Sequence, residues 1–334
     1  MIFVTGGTGL LGSHILLTLS KQKRKFRALK RESSSLDICK SVFNYYLLGE
    51  LFSKIEWIDG DINDIVSLEK AIEGCDYILH AAALVSFNAT DFAKMRKINI
   101  EGTANVINVA LDSKIKKLGY VSSIAALGRN STKDIVNEES NFKFTKNESS
   151  YSVSKYYAEQ EVWRGAAEGL DVLIINPSVI LGPGNWNKGS SQMFKKMYNG
   201  LIFYTEGSTG FVDVLDVAES FVSLFFSDIK NERFIINSVN LSYREFFDKL
   251  AKSFGKPKPY LRANQLLKGL AWRFEWIKCF IFGGNPLITK ETAASSGRSH
   301  QYSNEKVKEK IDFEFTDIDK TIKKYSQWFI NDLD

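Results

Sequence analysis

Tyr151 and Lys155, in the run Tyr151-Ser152-Val153-Ser154-Lys155, are residues whose types and spacing could do proton chemistry together. At the start of a helix, residues four apart stand one turn above each other, so phenol and ammonium become neighbours. A free tyrosine titrates near pH ~10, too high for efficient proton transfer at neutral pH; a nearby cation stabilises the phenolate and lowers that value. Upstream, Tyr120-Val121-Ser122-Ser123-Ile124 puts two hydroxyls at the carboxyl end of an expected strand, where open α/β sheets gather ligand-contacting residues. A hydroxyl there would hold a substrate oxygen beside Tyr151. Chemistry alone does not separate Ser122 from Ser123, and either would also serve as a strand-end cap.

A second constellation sits at the very start, in Thr5-Gly6-Gly7-Thr8-Gly9-Leu10-Leu11-Gly12, between an expected strand and an expected helix. Gly6, Gly9 and Gly12 permit a tight turn and close backbone approach to a pyrophosphate. The N–H groups and dipole of the helix start, over Thr8, Gly9, Leu10 and Leu11, would meet its charge. At the end of the second expected strand the chain reads Ala28-Leu29-Lys30-Arg31-Glu32-Ser33. Two cations stand where a carboxylate usually takes the ribose 2′-hydroxyl of NAD. Arg31, helped by Lys30 and Ser33, suits a 2′-phosphate, which favours NADP(H). The other reading leaves both cations solvated and gives the ribose to Glu32, which implies NAD(H).

These residues need a scaffold, and the hydrophobic pattern supplies one. Short apolar runs at 2–5, 26–30, 55–59, 77–81, 118–122 and 172–176 alternate with amphipathic stretches, the signature of parallel strands with crossover helices. Helices are expected after Gly9 and over 62–73, 95–112, 151–168 and 216–227. The fold class is therefore α/β, a Rossmann-type doubly wound parallel sheet with a smaller, mostly helical C-terminal substrate lobe. The nucleotide-binding part covers 1–178 with about 212–240, and the lobe covers about 179–211 and 241–334. The polar stretch 129–150 reads as a surface loop with room for a lid.

Composition narrows the partners. The chain has 334 residues, 44% of them hydrophobic, and its net charge of +5 comes from 44 basic and 39 acidic residues spread along its length. No block resembles a nucleic-acid tail or a polybasic membrane anchor, so a small-molecule substrate and no nucleic acid are expected. Cys39, Cys75 and Cys279 have no metal-ligand spacing, and no metal is expected. With no signal peptide in evidence, the expected location is cytoplasmic, and Asn130 and Asn147 read as chance glycosylation matches. The apolar stretch 266–282 carries Lys268, Arg273, Glu275 and Lys278, which excludes a membrane span. It reads as a helix over a pocket, with peripheral membrane contact through Trp272, Phe274, Trp276, Phe280 and Phe282 as the alternative.

Together the motifs resemble the extended short-chain dehydrogenase/reductase family, from Ile2 to about Phe329. The resemblance implies cofactor contacts from Gly6, Gly9 and Gly12, from Asp61 and Ile62 beside the adenine, and from Ala81, Ala82 and Ala83 after His80. Asn99, in Asn99-Ile100-Glu101-Gly102-Thr103, fits the family's helix-kink asparagine. Ser123, Tyr151 and Lys155 fit its catalytic set, with Ser123 preferred to Ser122 by alignment only and Ser122 left among the cofactor contacts. Pro177, Ser178 and Val179, after Asn176, fit the segment lining the nicotinamide. The run from 176 to 184 is similar to the dihydroflavonol-reductase-like and 3β-hydroxysteroid-dehydrogenase-like branch, as are residues 285–289, Tyr302-Ser303 and Trp328-Phe329. The sequence departs from nucleotide-sugar dehydratases at Ile124, where their Thr-Asp-Glu arrangement is absent, and 185–211 gives no clear nucleotide-sugar pattern.

That resemblance implies an NADP(H)-dependent oxidoreductase interconverting a carbonyl and a secondary alcohol, with a homodimer built on the helices 95–112 and 151–168. Its rivals are a nucleotide-sugar epimerase or dehydrogenase with retained NAD and, behind it, a non-catalytic NADP-binding protein. Phe87, Met193, Phe194, Phe203, Phe211 and Trp272 suggest an apolar pocket where they face the cleft. Asp213 and Asp216 read as a structural brace between the two lobes.

Overall fold

Apolar runs too short for helices must lie side by side, and runs apolar on both faces need helices above and below. In the computed structural model, which describes residues 1–128, 135–145, 148–263, 291 and 297–333, they do so. Seven strands form one sheet: β1 (Ile2–Thr5), β2 (Phe26–Lys30), β3 (Glu56–Asp59), β4 (Tyr77–His80), β5 (Lys117–Val121), β6 (Asp171–Pro177) and β7 (Glu232–Ile236). Their spatial order is β3-β2-β1-β4-β5-β6-β7, and every pairing is parallel. The first six match the expected strands to within a residue or two. The seventh follows the break at Pro177 and Pro183, where the alternation in the sequence fades.

Because the chain starts at β1 and winds outward in both directions, the order reverses between β1 and β4. The crevice beyond the carboxyl ends of those strands is where such sheets bind ligands. Successive side chains of β1 part to opposite faces: Ile2 and Val4 join one apolar cluster, Phe3 the other. The first cluster includes α1 (Leu10–Lys21) and α4 (Val214–Phe225); the second includes α2 (Gly102–Asp112) and α3 (Ser150–Ala167).

The helix expected over 95–112 is not uniform. It opens with an α-helical turn at Phe92–Met95, passes through a π-helical segment, Arg96–Glu101, and becomes α2 only at Gly102. The described stretch 135–145 of the expected surface loop is mostly exposed and is pinned to the body at several points. Arg233 Nε donates to the Glu138 carbonyl (2.7 Å), the Ile235 N–H donates to Glu138 Oε1 (2.8 Å), and Phe142 stacks on Tyr156 with ring centres 4.6 Å apart.

Beyond β6 the described residues include strands as well as helices. Val179–Leu181, Ser208–Asp213 and Val239–Ser242 form a small mixed sheet. Helices follow at Tyr243–Phe254, Glu305–Lys310 and α5 (Ile318–Asn331). Ile318, Ile322, Tyr325 and Phe329 of α5 join the same cluster as β1 and α1. Asp213 accepts bonds from Tyr325 Oη (2.7 Å) and Thr321 Oγ1 (2.9 Å), and Asp216 from Thr316 N (2.7 Å) and Oγ1 (2.8 Å). Both carboxylates thus tie α4 and its entry to the C-terminal segment.

Phe194 and Phe211 do not line a pocket. Both are fully buried, Phe211 stacked on Phe246 and Phe194 edge-on to Trp186. The stretch 266–282 with Trp272 and Cys279, residues 285–289, Asn130 and Asn147 lie outside the described residues. Among the described residues, no helix is long and apolar enough to cross a membrane, no His/Cys/Asp/Glu group could hold a metal, and Cys39 and Cys75 are free thiols.

Candidate active site

The glycine turn is built as close approach requires. Gly6 has φ +77°, in the left-handed region, and a Cβ there would lie 2.6 Å from the Ala81 carbonyl carbon and the Ala82 nitrogen. A Cβ on Gly12 would lie 1.9 Å from the Gly6 carbonyl oxygen. α1 begins at Gly9, which has no side chain to cap it, so among the described residues no side chain is bonded to its first N–H groups. That is the condition under which a helix start receives an anion, and it fits a dinucleotide pyrophosphate. Ala81–Ala83 leave β4 alongside this turn, with the Ala81 N–H on the Thr5 carbonyl at 3.2 Å.

The other expected cofactor residues are distributed around this cradle. Thr8 and Leu10 are half-buried, and Leu11 is buried. At the end of β2, Lys30 is ion-paired with Asp59 across the strand pair, whereas Arg31 is exposed. Asp61 Oδ1 accepts from both the backbone N–H (2.9 Å) and Nδ2 (3.0 Å) of Asn63, and Ile62 is buried against Gly102. Pro177 is buried, Val179 half-buried, and Ser178 Oγ is buried without a hydrogen-bond partner. An orphaned hydroxyl in this segment fits a ligand amide or hydroxyl completing it.

Around the reactive residues, strand and helix periodicities interlock. Tyr120 and Ser122 share one face of the chain end, as do Lys155 and Glu159 on α3. Lys155 Nζ donates to Tyr120 Oη (2.8 Å) and the Val121 carbonyl (2.8 Å), while Ser122 Oγ donates to Glu159 Oε2 (2.5 Å). The Ser122 hydroxyl is thus bound to the buried Glu159. Ser123 has the opposite parity. Its Oγ accepts from the Ala125 N–H (3.1 Å) and lies near enough to the Tyr151 phenol to pull its pKa down.

Glu159 is 1% exposed and also accepts from Asn176 Nδ2 (2.8 Å) and Arg233 Nη1 (2.8 Å). Asn176 Nδ2 in turn reaches the Ser123 carbonyl at 3.0 Å, so this buried carboxylate helps hold the serine's backbone. Neither Glu159 nor Arg233 stood out in the sequence. Asn99 grips Leu84 at both its N–H (2.7 Å) and its carbonyl (3.0 Å), and donates to Ser154 Oγ (3.0 Å). The π-helical segment that carries it aims the side chain at α3.

Electrostatics follow burial. Desolvation lowers the Lys155 pKa to about 7, with the nearby Glu159 carboxylate pulling it back up. The Tyr151 pKa is raised by burial, with the nearby Ser123 hydroxyl pulling it down. The Lys155 ammonium turns toward Tyr120 and the Val121 carbonyl. Phe87 meets the Tyr151 ring edge-on at 5.6 Å, and Glu291 Oε1 accepts from Ser150 N (3.2 Å) and Oγ (2.9 Å) at the start of α3.

Comparisons with known proteins agree with this geometry. The family model described as "NAD dependent epimerase/dehydratase family" matches residues 2–236. A putative dihydroflavonol 4-reductase of Synechocystis is 26% identical over 338 residues, covering 98% of this chain and 94% of that protein. Cinnamoyl-CoA reductase 1 of Petunia hybrida is 31% identical over 242 residues, 65% of this chain and 72% of its own. Among solved structures, gox2253 superposes with a TM-score of 0.81 at 28% identity, covering 99% of this chain and 98% of its own. A UDP-glucose 4-epimerase of Thermotoga maritima gives 0.79 at 20% identity, covering 100% and 99%, a likeness that speaks for the fold alone.

Proposed function

Because the chain belongs to the NAD dependent epimerase/dehydratase family, we propose that it reduces a ketone or aldehyde with NADPH, or runs the reverse oxidation. The observation that carries this reading is the placement of Ser123, at the end of the sheet that bears the glycine turn, beside Tyr151 on α3, one helical turn from the buried Lys155. The reductase relatives support it, as does the absence of an acidic pair after the serines, where Ile124 stands.

The bound dinucleotide supplies a hydride acceptor or donor; positioning and proton transfer fall to the chain. The Gly6–Gly12 turn and the start of α1 would hold its pyrophosphate, and Ser178 would receive its nicotinamide end. Ser123 would orient the substrate oxygen, and Tyr151 would deliver a proton to it. Lys155, with two of its three N–H groups engaged, has the third for the nicotinamide ribose and adds positive charge beside Tyr151. Arg31 is the cation left for a 2′-phosphate, since Lys30 is paired with Asp59.

The test is separate calorimetric titration with NADPH, NADP, NADH and NAD, after checking the purified protein's absorbance for carried-over cofactor. Exchangeable binding that favours the phosphorylated forms, and loses that preference in Arg31→Ala, is the expected result. Retained NAD without phosphate preference would overturn it and bring the epimerase reading forward.

A further inference from the structure

Lys155 is fully buried, yet among the described residues no carboxylate is hydrogen-bonded to its ammonium. Its two engaged protons go to neutral oxygens, and one of them is a side chain, Tyr120. Behind Tyr120 the hydrogen bonds admit one consistent set of directions. Thr103 Oγ1 gives its single proton to the Asn99 carbonyl at 2.6 Å, so it accepts from everything else it meets. Tyr120 lies beside Thr103, close enough for Thr103 to lower its pKa, and its hydroxyl accepts from Lys155. His80 Nε2, 3.0 Å from Thr103 Oγ1, must carry the ring proton, leaving Nδ1 to accept from Thr5 Oγ1 at 2.6 Å. The Thr5 oxygen closes the series by accepting from the Ala82 N–H at 3.3 Å. Tyr120, Thr103, His80 and Thr5 are all buried, and the His80 and Tyr120 rings lie 5.5 Å apart at 31°.

We propose that Tyr120 is a positioning residue for Lys155: its buried hydroxyl accepts from the ammonium and fixes it, packed beside the Thr103–His80–Thr5 series that ends at the Ala82 N–H. The proposal rests on the assignment of Lys155 to the proton chemistry. A neutral acceptor at 2.8 Å stabilises the charged form of the amine in a dry site, in the way a carboxylate would but without competing for it as a counter-ion. Among the described residues, the other titratable groups that act on Lys155 are His80 from β4 and Glu159 from its own helix. Burial holds His80 to a pKa of about 3, so it brings no second charge. Arg96, Lys97 and Glu101 of the π-helical segment packed on α3 are exposed.

Lysine-selective ¹³Cε NMR of the full chain tests this without turnover, with the Lys155 signal identified by its loss in Lys155→Met. Tyr120→Phe keeps the ring and removes the acceptor, so the Lys155 titration should move down by at least ~0.5 pH unit. Thr103→Val, which removes the hydroxyl behind Tyr120, should move it the same way, and Thr103→Ser should restore the wild-type value. An unmoved titration in Tyr120→Phe would overturn the proposal; should that variant not fold, an unmoved titration in Thr103→Val would do so. Missing carbonyl reduction in the wild type would instead count against the proposed function and leave this titration readable.

Discussion

At the scale of single residues, the site is organised by which atoms have no choice of partner. Glu159 illustrates it: a buried carboxylate receives Ser122, Asn176 and Arg233, and the serine at 123 is left over for Tyr151. Replacing Glu159 by Gln keeps the shape and strands the Arg233 charge. Urea unfolding should show a loss of about 3 kcal/mol, the low end of the range for a broken buried pair because Arg233 keeps some solvent contact. An unchanged midpoint would show that the pair contributes nothing. Ser122 could have been separated from Ser123 in the sequence, since the strand period of two puts Ser122 with Tyr120 under the helix and Ser123 on the other side. Arg233 could not, because it lies 74 residues from Glu159 on a strand whose apolar pattern follows a proline break.

Elements come next. The strands were legible because parallel strands buried on both faces must be continuous apolar runs, as in Ile2–Thr5 and Phe26–Lys30. The π-helical segment was not, because the grip of Asn99 on Leu84 depends on a loop folding back to it. The glycine turn makes the sharpest prediction at this scale. Gly12→Ala puts a carbon where the Gly6 carbonyl oxygen already stands, against backbone that has no flexible end to give way. Calorimetry should find dinucleotide binding weakened by at least ~10-fold; wild-type affinity would show that the turn yields at no cost.

For the whole molecule, the C-terminal helix belongs to the same apolar cluster as the first strand, so the two ends of the chain stabilise each other. Asp216, which ties α4 to Thr316, has its pKa raised to about 6, mainly by burial. A folded-state value above the ordinary 3.8 means a contribution fully present below that value and lost as pH rises through about 6. Thermal melts should therefore show wild-type stability falling over that window, and Asp216→Asn should flatten the fall. Parallel curves would contradict it. The brace was legible only as two aspartates near α4, since Thr316, Thr321 and Tyr325 reach them from about a hundred residues away.

The central claim is that Tyr151 transfers the proton in a dinucleotide-dependent carbonyl reduction. The measurement that meets it most directly is NADPH consumption with a panel of apolar ketones and aldehydes, wild type beside Tyr151→Phe. The account predicts turnover in the wild type and a fall of at least ~10²-fold in the variant, with NADPH affinity unchanged. Equal turnover in the two would contradict it.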